Sequence, residues 1–196
     1  MTENHRKLPA NSYGESKLIF EQMLRWYFQI HGLKSISFRY FNAAGASANY
    51  GEAHRPETHL IPLVLQVALG QREKILVFGN DYETKDGTCI RDYTHVNDLA
   101  QAHILGYEKI DELKFDAFNL GNGDGYTVME VIQSAREVTG HSIPVEVVGR
   151  RAGDAAVMVA SSAKAKRVLG WKPQFPKIKD IVETAWKWHR QRPNGY

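Results

Sequence analysis

A chain of 196 residues is long enough for one domain with a sizeable core, or for part of a larger protein. Hydrophobic residues make up 43% and charged residues 24%, and the formal charge is only +3 with basic residues spread along the chain, so nothing argues for nucleic acid or a membrane as partner. Cys89 is the only cysteine, which rules out an internal disulfide and suits a reducing compartment. No apolar run approaches the roughly 18 residues needed to span a bilayer, and the polar start Met1-Thr2-Glu3-Asn4-His5 is no signal peptide, so a cytoplasmic protein is expected.

Residues 1–11 read as a polar loop feeding a first helix from about Tyr13 to His31, with Gly32 as its stop. Ser12 with Glu15 three residues on reads as a capping box. Apolar positions such as Phe20, Met23, Trp26 and Ile30 cover more than one stripe, as in a helix that packs on a sheet by one side and on another subunit by the other. Residues 35–41 form a strand, and the small residues of Asn42-Ala43-Ala44-Gly45-Ala46 mark a place of close backbone approach, where ligands bind in open α/β sheets.

After a polar loop, His59 to Pro62 opens a helix of about ten residues, with Gly70 at its end. Strands are expected at 74–79, 89–95, 117–121 and 144–148. Helices follow Asn97 or Asp98 and Thr127, the latter with Glu130 completing a capping box, and two more lie near 162–169 and 177–192. This alternation argues an α/β class with a mainly parallel sheet. The eight histidines show no metal-ligand spacing; His54 and His59 are five apart in a turn-rich segment without a supporting cysteine, so no metal is expected.

Tyr13 and Lys17 stand four apart, one above the other on a helix face. A phenol, with a pKa of about 10, is a poor base at neutral pH unless an ammonium stabilises its phenolate. The spacing alone is weak evidence, since chance supplies such a pair about half the time in a chain of this composition. No strand leads through a glycine-rich turn into a helix, the arrangement that holds a dinucleotide pyrophosphate, so the sequence reads as the second half of a longer enzyme.

Tyr13-Gly14-Glu15-Ser16-Lys17 followed by Arg39 to Ala46 resembles the extended short-chain dehydrogenase/reductases, and within them the UDP-glucose 4-epimerases. Phe78 to Tyr82, Asp86-Gly87-Thr88, Arg91 to Val96, Asn119-Leu120-Gly121 and Arg151 to Asp154 extend the likeness along the chain. The resemblance implies the C-terminal part of a Rossmann-like enzyme. Residues 1–46 would end the NAD-binding domain, 47–196 would form mainly the UDP-sugar domain, and 90–121 would return to the Rossmann sheet.

It further implies that Tyr13 is the catalytic base, that Lys17 binds the nicotinamide ribose and lowers the tyrosine pKa, and that Tyr40 also contacts NAD. For UDP-glucose or UDP-galactose it implies contacts from Asn42, Arg91 and Arg151 at the diphosphate, His59 and Leu60 at a helix start, Leu76 and Phe78 along uracil, and Asp154 at the ribose. Tyr93 and Met158 complete this substrate set, Met158 at a position that sets room around the 2-substituent and so suggests tolerance of N-acetylated sugars. The implied mechanism is transient oxidation at C4 by NAD and return of hydride to the other face. The helix 13–31 implies a homodimer of the complete enzyme. With the glycine-rich motif and the family's Ser or Thr outside this sequence, the chain alone is expected to have little epimerase activity. A nucleotide-sugar dehydratase or decarboxylase, or a non-catalytic UDP-sugar binder, are the competing expectations.

Overall fold

The computed structural model describes residues 1–9 and 11–196. In chain order the elements are α1 (Ser12–His31), β1 (Ser35–Tyr40), β2 (Asn42–Ala44), α2 (Leu60–Ala68), β3 (Ile75–Phe78), β4 (Ile90–Arg91), β5 (Tyr93–His95), α3 (Val96–Glu108), α4 (Ile110–Leu113), β6 (Phe115–Leu120), β7 (Tyr126–Thr127), α5 (Val128–Thr139), β8 (Val145–Val148), β9 (Val157–Met158), α6 (Ala163–Leu169) and α7 (Ile178–Gln191). The class is α/β. Parallel pairs join β1 with β6, β2 with β5, β3 with β8 and β4 with β9, and only β4 with β7 is antiparallel among the described residues.

Several local expectations shift. Asn11 caps α1 in place of Ser12: its side-chain oxygen accepts the Gly14 N–H at 2.9 Å. The strand expected over 89–95 divides at Asp92 into β4 and β5, which belong to different sheets. Asp92 is 1% exposed and its carboxylate accepts the N–H groups of Asn122 at 2.9 Å and Ala160 at 3.0 Å. A side chain held that way turns the backbone out of a continuous strand. The cap of α3 is His95, not Asn97 or Asp98; its Nδ1 accepts the Asn97 N–H at 3.0 Å. Asp98 instead accepts the N–H groups of Gln174 and Phe175, tying the segment before α7 to the start of α3. The capping box at Thr127 and Glu130 forms as expected.

The larger core is built from α2, α5, α7 and β3, with Leu65, Val77, Ile132 and Ile181 at its centre. A smaller one packs Phe118 of β6 and Ala102 of α3 against Leu169 and the fully buried Trp171, whose Nε1–H donates to the Asp98 carbonyl at 2.9 Å. α1 stands apart. None of its residues is buried, and Phe20, Trp26 and Ile30 are 58%, 62% and 68% exposed, an uncovered apolar face.

His95 joins the halves. Because its Nδ1 accepts a backbone N–H, its Nε2 carries the proton and donates to Thr184 Oγ1 at 3.0 Å. That hydroxyl accepts the Ala46 N–H and donates to the Ile181 carbonyl, while the imidazole stacks on Phe175. Gly45, at φ 83°, lies so close that a Cβ there would meet the His95 ring at 2.4 Å; no other residue fits.

Burial pushes the His95 imidazole below its ordinary pKa, against Asp98 and the Ala46 backbone, and does the same to His189 against Glu57 and Glu52. Both bind protons more readily unfolded, so their contribution to stability is complete above about pH 6.5 and is lost as pH falls through their lowered native values. Urea unfolding between pH 7.5 and 5 should therefore show falling stability. His95→Gln should destabilise the chain by about 1–3 kcal/mol at pH 7.5 and flatten that acid slope; an unchanged slope would contradict the assignment.

Candidate functional site

A cavity of about 410 Å³ lies between β2 and the segment after it, the first turn of α2, β3, and the loop holding Arg151 and Asp154. That size falls within the roughly 300–1,000 Å³ usual for small-molecule sites. Of the substrate residues expected from sequence, Asn42, His59, Leu60, Leu76, Phe78, Arg91, Tyr93, Arg151 and Asp154 all line it. Met158 does not; it stands in β9 opposite Arg91 of β4.

The two guanidinium groups have different contacts. Arg91 donates from Nη1 to the carbonyls of Ile90 at 2.9 Å and Ala155 at 2.7 Å, and from Nη2 to Asp154 Oδ1 at 3.3 Å. The Arg151 guanidinium lies over the Phe78 ring, 4.4 Å from its centroid. Asn42 donates its amide to the Asp92 carbonyl at 2.8 Å, which holds β2 to the β4–β5 junction. Burial drives the Tyr93 phenol pKa upward, so this wall stays neutral. The first turn of α2 contributes His59, Leu60, Ile61 and Pro62; the His59 N–H is taken by Glu57 and Pro62 has none, so only Leu60 and Ile61 offer helix-start N–H groups of the kind that favour an anion. Ala43 to Ala46 bring backbone to the cavity without bulk, as their small side chains suggest.

Glu57 sits beneath the helix start. Burial alone would raise its carboxyl, but the N–H and ring of His59 and the Thr58 N–H hold it below the ordinary range. Sequence reasoning missed Cys89, Val128, Ala185 and His189 as lining residues, and Glu52 and Thr58 besides. Ala185 and His189 come from α7, and no local pattern connects that helix with β2 or α2.

Tyr13, Lys17 and Tyr40 lie elsewhere and do not line the cavity. Tyr13 is 70% exposed, with the Lys17 ammonium over its ring at 5.0 Å, as the four-residue spacing requires. The position of the pair follows from two contacts. Phe28 stacks on Phe115, at the start of β6, and Glu21 pairs with Arg39, near the end of β1. Tyr13 is eight residues further toward the helix start, about 12 Å, which puts it beyond the carboxyl ends of β1 and β6. That edge is where open α/β sheets bind ligands. Tyr40, the last residue of β1, is 44% exposed at the same end.

The family model described as GDP-mannose 4,6 dehydratase matches residues 1–185. The chain is 53% identical to a UDP-glucose 4-epimerase of Halalkalibacterium halodurans, over 99% of this chain and 59% of that protein. A crystal structure of a UDP-glucose 4-epimerase matches with a TM-score of 0.96 at 58% identity, over 100% of this chain and 60% of that one. The UDP-glucose 4-epimerase of Bifidobacterium longum, solved with NAD+ and UDP, matches with a TM-score of 0.92 at 38% identity, over 100% and 60%. The chain thus spans about 60% of the length of these relatives.

Cys89 gives the cavity a built-in probe. Burial pushes its thiol pKa up, assisted by Asp154 and opposed by Arg91 and Arg151. The folded chain should therefore react with iodoacetamide far more slowly than the chain in urea; equal rates would show that the cavity wall is not formed.

Proposed function

From the premise that this chain belongs to the GDP-mannose 4,6-dehydratase family, we propose that it carries the nucleotide-sugar site of a UDP-glucose 4-epimerase, interconverting UDP-glucose and UDP-galactose in galactose metabolism. The observation that carries this reading is the cavity. Arg91 and Arg151 offer planar donors suited to a diphosphate, Leu76 and Phe78 an apolar wall for uracil, and Asp154 an acceptor for ribose hydroxyls. A nucleotide-sugar dehydratase or decarboxylase is the second reading, favoured by the description of the matching family. Those enzymes tend to carry Asn-x-Tyr-Gly-Pro where this chain has Asn42-Ala43-Ala44-Gly45-Ala46, so the epimerase reading stands first.

The residues for NAD fit one wall of a site: Tyr13, Lys17 and Tyr40 are exposed together at the carboxyl edge of the β1–β6 pair. NAD, when bound, supplies a reversible acceptor for hydride from the sugar carbon. The chain's own residues handle the proton and the anchor. Tyr13 takes and returns the proton of the 4-hydroxyl, Lys17 stabilises its phenolate, and Arg91 and Arg151 grip the diphosphate while the sugar turns. Residues 1–46, with 90–121 returning beside them, form the end of the NAD domain, and the remainder of 47–196 forms mainly the sugar-nucleotide domain; the parallel pairing of β1 with β6 supports this division. The exposed apolar face of α1 supports a homodimer of the complete enzyme, and the single buried Cys89 is compatible with the cytoplasm. No helix among the described residues is long and apolar enough to cross a membrane.

Calorimetry with UDP tests the binding part. Arg151→Ala should weaken UDP about 10- to 100-fold, while Arg150→Ala should change it little, because Arg150 pairs with Asp81 outside the cavity. UDP should also protect Cys89 further from alkylation. Equal effects of the two arginine variants would reject the assignment. For the chemical step, turnover of UDP-galactose with added NAD should be small in this chain, and any turnover present should vanish in Tyr13→Phe with UDP binding intact. Met158 stands outside the cavity, so its assigned part is supported only if UDP-N-acetylglucosamine binds comparably to UDP-glucose and Met158→Tyr weakens the N-acetylated sugar alone.

A further inference from the structure

The segment between β2 and α2 brings Glu52, His54, Glu57 and His59 together, with one ligand-type atom from each lying within 4.8 Å of the others. The carboxylates lie inside and the imidazoles outside: the side chains of Glu57 and Glu52 are 6% and 28% exposed, those of His54 and His59 63% and 55%. His54 Nδ1 contacts Glu52 Oε1, and His59 Nδ1 lies 3.7 Å from that same oxygen and 2.7 Å from Glu57 Oε1. The two rings are tilted 44° to each other with centroids 5.1 Å apart. Among the described residues, no lysine or arginine pairs with either carboxylate. Glu57 is kept charged by the N–H groups of Thr58 and His59 and by the His59 ring, and among these residues no permanent cation balances either acid.

We infer that Glu52, His54, Glu57 and His59 form a binding site for a divalent transition metal, with zinc the best match. Two neutral imidazole nitrogens and two carboxylate oxygens make the four-ligand, mixed nitrogen and oxygen set that tetrahedral zinc accepts at about 2.0–2.2 Å. The ion takes the place of the protons now shared between imidazole and carboxylate, and its two positive charges balance the two acids. Closing the set around an ion needs the two exposed imidazoles to swing away from their carboxylate partners, which exposed side chains permit.

The consequence is mechanical. Gly51 is pressed against Trp188, where a Cβ would approach to 2.3 Å, and its N–H donates to the Tyr196 hydroxyl. Arg55 donates to the Asn194 carbonyl. The loop is thus pinned to the end of α7 on one side and runs into α2 on the other. A metal bridging Glu52 and His54 to Glu57 and His59 staples the loop upon itself, just where Glu52, Thr58 and His59 line the cavity.

The test needs neither sugar nucleotide nor NAD, so its failure leaves the proposed function untouched. The chain is treated with EDTA, dialysed and titrated with zinc chloride by calorimetry, with thermal unfolding followed in parallel and cobalt(II) as an optical probe. One equivalent should bind, raise the midpoint and give the intense visible bands of tetrahedral cobalt. His54→Ala and Glu52→Gln should each weaken binding by at least the roughly 10- to 100-fold seen for loss of an outer-shell partner. His31→Ala, at the exposed end of α1, should leave it unchanged. Absence of stoichiometric binding, or equal effects of His31→Ala and His54→Ala, would overturn the site. His54 is exposed enough that its variant should fold, and an unchanged urea midpoint without metal verifies this.

Discussion

The buried carboxylate of Asp92 is the constraint on which the geometry of the cavity depends. Burial pushes its pKa up, against the N–H groups of Asn122, Ala160 and Gly123 that point at it. A buried acid left without those donors would be strongly unfavourable, so the loops after β6 and β9 must close on it together. Its backbone carbonyl meanwhile accepts the Asn42 amide. One residue thereby fixes the separation of three chain segments far apart in sequence.

The break at Asp92 also explains why neighbouring residues serve different walls. Arg91 lies in β4 beside β9, and from there its guanidinium reaches Ala155 and Asp154. Tyr93 lies in β5 opposite Asn42 of β2 and presents a neutral, buried ring. In a continuous strand, residues 91 and 93 would face the same side of one sheet. Dividing the strand places a cation and an aromatic wall around the same space.

A second coupling crosses from this cavity to the larger core. Gly45 and Ala46 line the cavity, and through His95 and Thr184 they are tied to α7. α7 also carries Ala185 and His189 to the cavity and Trp188 to the loop above α2. Displacement of α7 would therefore be felt on both walls. By contrast, α1 contributes no buried residue, and its Tyr13–Lys17 pair does not line the cavity. The cavity-lining segments are tied together by hydrogen bonds, while the Tyr13–Lys17 pair sits on a helix whose apolar face is open.

Local chemistry made much of this legible in the sequence. The four-residue spacing placed Lys17 over Tyr13, Thr127 and Glu130 announced their capping box, Gly32 ended its helix, and small residues after β1 marked a place of backbone approach. Each depends on atoms within a few residues, so periodicity and residue type suffice. The cavity residues were named through likeness to a family, not through spacing, because residues from Asn42 to Asp154 share no local pattern. Only tertiary structure decided that Asp92 splits a strand, that His95 displaces Asn97 as a cap, that His189 reaches the cavity, and that Glu52 and Glu57 join the two histidines. In each case the deciding partner is a backbone N–H, a helix or a turn brought in by packing, and a linear sequence does not carry the distances that packing sets.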